Sequence, residues 1–173
     1  EGIDVGGANA EVTNNGTIKG AAGILMDGAS ATLTNNGSVT ATSGIAVALL
    51  GSGKNIFSNN GTITATGIAL KGGSGVEIVT SNGTIETQGS GSAGIVARTL
   101  GGSGGQGGSA GLSLVGAGGD GGPTGIAGAA SVTVNNDITT HGNDAEGVYV
   151  PAIGEFAGDG GNSGVGLVGF GGG

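Results

Sequence analysis

Val12-Thr13-Asn14-Asn15-Gly16-Thr17-Ile18 returns three times nearly unchanged: as Leu33-Thr34-Asn35-Asn36-Gly37-Ser38-Val39, as Phe57-Ser58-Asn59-Asn60-Gly61-Thr62-Ile63 and as Val79-Thr80-Ser81-Asn82-Gly83-Thr84-Ile85. A looser copy runs from Val132 to Ile138. Each copy is an apolar alternation, a tight turn and a second apolar alternation, which is the pattern of short strands joined at a turn; no helical period competes with it. Gly followed by Ile or Val gives a second landmark at Gly2, Gly23, Gly44, Gly67, Gly94 and Gly147, with spacings of 21, 21, 23, 27 and 53 residues. An antiparallel meander also uses Asn-Gly turns, but it has no need for the same turn, strand and start in every repeat. A coil that stacks on copies of itself does. The expected fold is therefore all-β, a right-handed parallel β-solenoid of about six coils of 21–27 residues with Gly-rich insertions.

Alternation assigns the inward side chains. One row pairs Ile3 and Val5, Ile24 and Met26, Ile45 and Val47, Ile68 and Leu70, Ile95 and Ala97, and Val148 and Val150. A second is Ile18, Val39, Ile63, Ile85 and Ile138, and a third is Val12, Leu33, Phe57, Val79 and Val132. Three rows imply three faces. Stacking would set Asn15, Asn36, Asn60, Asn82 and Asn135 one above another, where their amides either bond along the stack as a ladder or each serve their own turn. Gly16, Gly37, Gly61 and Gly83 are expected at positive φ, with Asn136, which tolerates that region next best, in the fifth copy.

Residues 1–100 read as regular coils, 101–130 as a Gly-rich insertion, 131–157 as a further coil and 158–173 as the start of another insertion. The Gly-Gly-X run from Gly101 to Ser109 and the run from Gly158 to Gly173 suit a flexible linker, or an extended three-residue-per-turn helix docked on the solenoid. Leu112, Leu114, Val115, Ile126, Val165, Leu167, Val168 and Phe170 interrupt both runs, which a pure linker does not need. A chain that starts at Glu1 and stops in Gly-Gly-Gly reads as part of a longer protein.

Composition bounds the chemistry. With 46 Gly among 173 residues, three Phe, one Tyr and no Trp, an aromatic core is excluded, whereas a thin core of stacked aliphatics is not. Four basic against twelve acidic residues give a net charge of −8, which disfavours nucleic acid as a partner and suits a solvated surface. No Cys is present, so there is neither a disulfide framework nor a thiolate metal site, and no apolar run is of membrane-spanning length.

Reactive groups are sparse. Asp27, Glu77, Glu86, Asp137, Asp144 and Glu146 are scattered, the basic residues are Lys19, Lys54, Lys71 and Arg98, and His141 lies near Asp144 and Glu146 without a nucleophile motif. Asp120 and Asp159 sit in Gly-Gly-Asp-Gly-like runs but lack the nonapeptide repeat of calcium coils. No catalytic, cofactor or metal residues are assigned. Thr40, Thr42, Thr62, Thr64 and Thr66 suggest an outward hydroxyl face of the ice-binding kind, interrupted at the equivalent positions by Lys19, Glu86 and His141.

In its Gly-Ile-x-Val starts, its Val-Thr-Asn-Asn-Gly-Thr-Ile-x-Thr core and its Gly-Val-Tyr149-Val followed by a Gly-rich run, the chain resembles passenger regions of bacterial autotransporters over nearly its whole length. The resemblance implies a secreted or cell-surface protein of a Gram-negative bacterium, used in adhesion, aggregation or matrix formation. No functional residues carry over, because the matching motif is structural. The expectation is a non-catalytic extracellular rod whose partners are other copies of itself or a host or matrix surface ligand. A self-assembling filament subunit is the alternative, ahead of a polysaccharide-processing enzyme or an ice-binding protein.

Overall fold

The computed structural model describes residues 2–100, 103–108, 115–117, 120–123, 128–153, 159 and 168–170. The chain is all-β, and among the described residues there is no helix. Strands are numbered along the chain and fall mainly into three sheets. Sheet A stacks β1 (Ile3–Val5), β4 (Ile24–Met26), β7 (Val47–Leu49), β10 (Leu70–Gly72), β13 (Ile95–Val96) and β18 (Val148–Tyr149). Sheet B stacks β2 (Glu11–Asn14), β5 (Thr32–Asn35), β8 (Lys54–Asn59), β11 (Val76–Ser81) and β16 (Ala130–Val134). Sheet C stacks β3 (Thr17–Gly20), β6 (Ser38–Ala41), β9 (Thr62–Ala65), β12 (Thr84–Thr87) and β17 (Ile138–Thr140). The strands within each sheet pair in parallel, so each circuit of the three sheets is one coil of a β-solenoid.

Four uninterrupted coils are followed by a fifth in which a long excursion separates β13 from β16 and β17, and β18 begins the next. The regular stack is thus shorter than the six coils expected from the Gly-Ile landmarks. Two of those landmarks mislead. Ile24 stands opposite Val47 and Val47 opposite Leu70, so the true sheet A row is Ile3, Ile24, Val47, Leu70, Ile95 and Val148. Ile45 and Ile68 lie two residues earlier, in the corner entering sheet A; they are only half-buried and stand outside the core cluster. The corner absorbs the two extra residues because only the strands are bound to a register.

The other two rows stack as alternation requires. Ile18, Val39, Ile63, Ile85 and Ile138 align on sheet C, and Val12, Leu33, Phe57, Val79 and Val132 on sheet B. In the middle coils these side chains are fully buried, with Phe57 the largest. Burying one such side chain contributes roughly 1.5–3 kcal/mol, and each coil supplies only a few, so the core is stable only as a stack.

By contact density the chain forms two compact units: Glu1–Thr99 with Gly128–Ala152, and Leu100–Ala127 with Ile153–Gly173. The first is the solenoid. In the second, β15 (Val115–Ala117) pairs in parallel with β20 (Val168–Phe170), Val115 opposite Val168 and Ala117 opposite Phe170. Gly107 N–H also bonds the Asp159 carbonyl at 2.7 Å. Residues 115–117 and 168–170 of the two Gly-rich stretches therefore pair strand to strand at the 53-residue offset that relates β13 to β18. Two further short strands, β14 (Thr99–Leu100) and β19 (Ala152–Ile153), form a two-stranded sheet of their own. Leu112, Leu114, Ile126, Val165 and Leu167 lie outside the described residues.

Candidate functional site

The turn between sheets B and C carries the repeated motif, and its two Asn residues diverge. Asn15, Asn36, Asn60, Asn82 and Asn135 point outward and form a continuous ladder. Asn36 Nδ2 donates to Asn15 Oδ1 at 2.9 Å, Asn60 to Asn36 at 2.9 Å, Asn82 to Asn60 at 3.0 Å and Asn135 to Asn82 at 2.8 Å. A second ladder, not anticipated from the sequence, runs inside. Asn14 Nδ2 donates to Asn35 Oδ1 at 2.8 Å, Asn35 to Asn59 at 2.8 Å and Asn59 to Ser81 Oγ at 3.2 Å; Ser81 then donates to the Gly83 carbonyl. The outer ladder donates toward the first coil and the inner one away from it, so the two rows of amide dipoles oppose each other.

Burial separates their energetics. Asn35 and Asn59 are fully buried, and an unmade buried hydrogen bond costs far more than an exposed one. Asn35→Ala strips Asn59 Oδ1 of its donor and is expected to destabilise by about 2 kcal/mol. Asn36→Ala, at an exposed position that water can serve, is expected to cost under about 0.5 kcal/mol. Urea unfolding of the two variants side by side checks the difference.

The glycines of the turn do not have the conformation expected of them. Among the described residues, positive φ occurs at Asn9 (57°), Ser30 (63°), Asp144 (54°) and Gly91 (65°), and not at Gly16, Gly37, Gly61, Gly83 or Asn136. Stacking is what selects glycine. A Cβ on Gly37 would fall 2.0 Å from the Gly16 carbonyl oxygen, on Gly61 1.9 Å from that of Gly37, and on Gly83 1.8 Å from that of Gly61. Gly16, in the first coil, would meet nothing. In the fifth copy Asn135 N–H takes the Ser81 carbonyl at 2.8 Å, and the Asn136 side chain reaches the Asn82 carbonyl at 3.2 Å.

Among the described residues, Glu77 is the one carboxylate buried inside the solenoid, 1% exposed on β11. Its Oε1 accepts from Asn55 Nδ2 and from Gly73 N–H, each at 2.9 Å. A side chain on Gly72 would begin 2.8 Å from the Glu77 Cδ, so the carboxyl fills the inward space of that position in β10. Asn55 itself also donates to the Gly51 carbonyl and accepts from Ala31 N–H. Burial raises the Glu77 pKa from 4.5 to about 7, against the opposing pull of Asn55 and Gly73.

The outer face of sheet C presents three rows. Thr17, Ser38, Thr62 and Thr84 form the first; Lys19, Thr40, Thr64, Glu86 and Thr139 the second. Backbone bonds from Thr42, Thr66, Gln88 and His141 to the preceding coil place Ala21 and those four residues in the third. His141 therefore shares a row with Thr42 and Thr66, not with Lys19 and Glu86. Its ring contacts Glu86 at 3.0 Å rather than Asp144 or Glu146, and Gln88 donates to the same Glu86 oxygen. Thr62, Thr84, Asp137 and Thr139 line a shallow depression beside this pair. Both members of the pair are nearly half exposed. Among the described residues there is no group of three or more metal-ligating side chains and no helix long and apolar enough to cross a membrane.

Compared with family models, curated proteins and solved structures, the chain matches none of them.

Proposed function

We propose that this chain is a non-catalytic structural and adhesive rod, secreted or held at a cell surface, as its resemblance to autotransporter passenger regions implies. The observation that carries the reading is the use made of the repeated polar residues. Asn14, Asn35 and Asn59 inside, and Asn15, Asn36, Asn60, Asn82 and Asn135 outside, bind coil to coil, so the motif serves the length and stiffness of the stack. The faces between the ladders then repeat hydroxyl groups at the sheet spacing of about 4.8 Å, a surface suited to extended contact with a matrix, a host surface or another rod.

Beads coated with the chain are expected to adhere to matrix-coated surfaces or to one another more than beads carrying an unrelated acidic protein. Equal adhesion would overturn the proposal. A filament subunit is the second reading, favoured by Val134, Val148 and Val150, which leave an apolar edge 37%, 41% and 46% exposed on the last described coils. Electron microscopy showing concentration-dependent fibres would select it.

A further inference from the structure

We propose that the outer face of sheet C is a contact surface for a second copy of this chain, laid against it antiparallel so that Lys19 of each copy meets Glu86 of the other. The inference supplies a partner for the adhesive reading and rests on it only for its biological setting.

The charge pattern of the face carries the argument. Along the middle row, β3, β6, β9 and β12 present Lys19, Thr40, Thr64 and Glu86 in that order. The two charges are opposite and stand at the two ends of this four-strand stretch, which Thr139 continues on β17, three strand spacings or about 14 Å apart. The stretch is thus antisymmetric in charge about its midpoint between Thr40 and Thr64. A two-fold axis running along the strands through that midpoint reverses the coil order, placing Lys19 over Glu86 twice and Thr40 over Thr64 twice. A copy laid in the same coil order would instead set Lys19 on Lys19 and Glu86 on Glu86.

The flanking rows are neutral over the same coils, and the axis brings Thr17 against Thr84 and Ser38 against Thr62. Such pairs can both donate and accept. Asp137, the next acidic group on this face, lies one coil beyond the paired stretch, as does His141.

A second copy is the occupant that fits for two reasons. The chain carries a net charge of −8, so most approaches between copies are repulsive, whereas this patch is neutral and complementary to itself. A second solenoid also shares the strand spacing of about 4.8 Å, so contacts made at one coil stay in register at the next. Lys19 is exposed and makes no ion pair among the described residues. Glu86 is held on the face by Gln88 and His141 yet remains 44% exposed.

Four strands and three rows span roughly 400 Å² per copy, below the area of a standard stable interface. The pairing is therefore weak and reversible, with a dissociation constant on the order of 1 mM. Being isologous it closes at two copies, unlike end-to-end stacking, which is open-ended.

Sedimentation equilibrium of the purified chain, at concentrations up to about 1 mM, tests this. The expected result is a reversible dimer that added salt weakens. Lys19→Glu and Glu86→Lys should each weaken it about tenfold or more, since either change spoils both symmetry-related pairs. The chain carrying both substitutions should dimerise as the unaltered one does, and a mixture of the two single variants should form a mixed dimer. Neither rescue is open to a chain that has merely misfolded. A monomer throughout, a double variant as weak as the singles, or open-ended growth indifferent to the charge exchange would each overturn the proposal. Bead adhesion that persists in such a case would leave the adhesive rod standing with another contact surface.

Discussion

The Gly61→Ala chain is expected to lose most of the stability of its stack, by about 4 kcal/mol or more. The added methyl would lie 1.9 Å from the Gly37 carbonyl oxygen, 2.9 Å from its carbon and 3.0 Å from the Asn36 carbon. All three are backbone atoms, so no rotamer change relieves the overlap. Retreat by the neighbouring coil is also blocked: the Gly37 carbonyl accepts from Thr62 N–H at 2.9 Å, and Gly61 N–H bonds the Asn35 carbonyl at 3.1 Å. Separating the coils by the ångström or more required would break both bonds and open the core beside Leu33 and Phe57.

Circular dichroism and urea titration measure the loss, and a companion variant identifies its cause. If positive φ were what demanded glycine, Gly61→Asn would be tolerated; with stacking as the cause, it is expected to fail as Ala does. Gly91→Asn supplies the converse. Gly91 has φ +65° and open space around its Cβ position, so Asn should fold there at little cost and Ala should lose about 1 kcal/mol.

These glycines show where the sequence was legible and where it was not. The repeat and its alternation set the three sheets and the registers of B and C, because a one-residue slip would turn Ile18, Val39, Ile63 and Ile85 to solvent. Sheet A was read two residues early at Ile45 and Ile68, since Gly-Ile recurs in both the corner and the strand and its short strands carry little pattern. The identity of the turn glycine was correctly linked to the repeat but explained by local conformation, whereas its cause is a contact with a residue 21 to 24 positions away. Contacts of that kind leave no signal inside a single repeat.

The inner ladder was present in the same motif. Alternation from Val12 places Asn14 inward, but apolar patterning looks for Val or Ile at such positions and passes over an amide that is satisfied only by its copies above and below. Ser81 in the fourth copy hid the row further. Glu77 was read as one of several scattered carboxylates, although alternation from the inward Val79 places it inside: a carboxylate is expected in water unless hydrogen bonds from other coils hold it. The structure turns Ile78 outward beside Ile56 and buries Glu77 with Val79.

Glu77 makes the solenoid sensitive to pH in a direction opposite to that of a paired surface carboxylate. With a pKa of about 7 in the folded chain and the ordinary 4.5 when unfolded, the folded state holds a proton that the unfolded state has released over that whole interval. Stability from this group is therefore fully present below about pH 4.5 and is lost as pH rises through about 7. The full loss amounts to about 3 kcal/mol, or roughly 6–12 °C in melting temperature for a chain of this size. Nothing charged faces the carboxyl from the strands around it. Lys54 precedes Asn55 on β8 and Lys71 precedes Gly72 on β10, both on the outward side of the alternation, while β16 contributes Ala130. Its partners are the neutral Asn55 amide and the Gly73 N–H, so ionisation has no counter-charge to offset it. The effect should centre where the chain rejoins the solenoid after the excursion, because Glu77 N–H bonds the Ala129 carbonyl and β11 carries β16. Amide exchange over residues 129–134, corrected for its intrinsic pH dependence, is expected to accelerate between about pH 4.5 and 7, with the melting temperature falling in parallel. Glu77→Gln retains an oxygen to accept from Asn55 and Gly73 but cannot ionise, and should flatten both profiles while raising stability above pH 7. A variant whose profile falls as steeply as that of the unaltered chain would place the titrating group elsewhere.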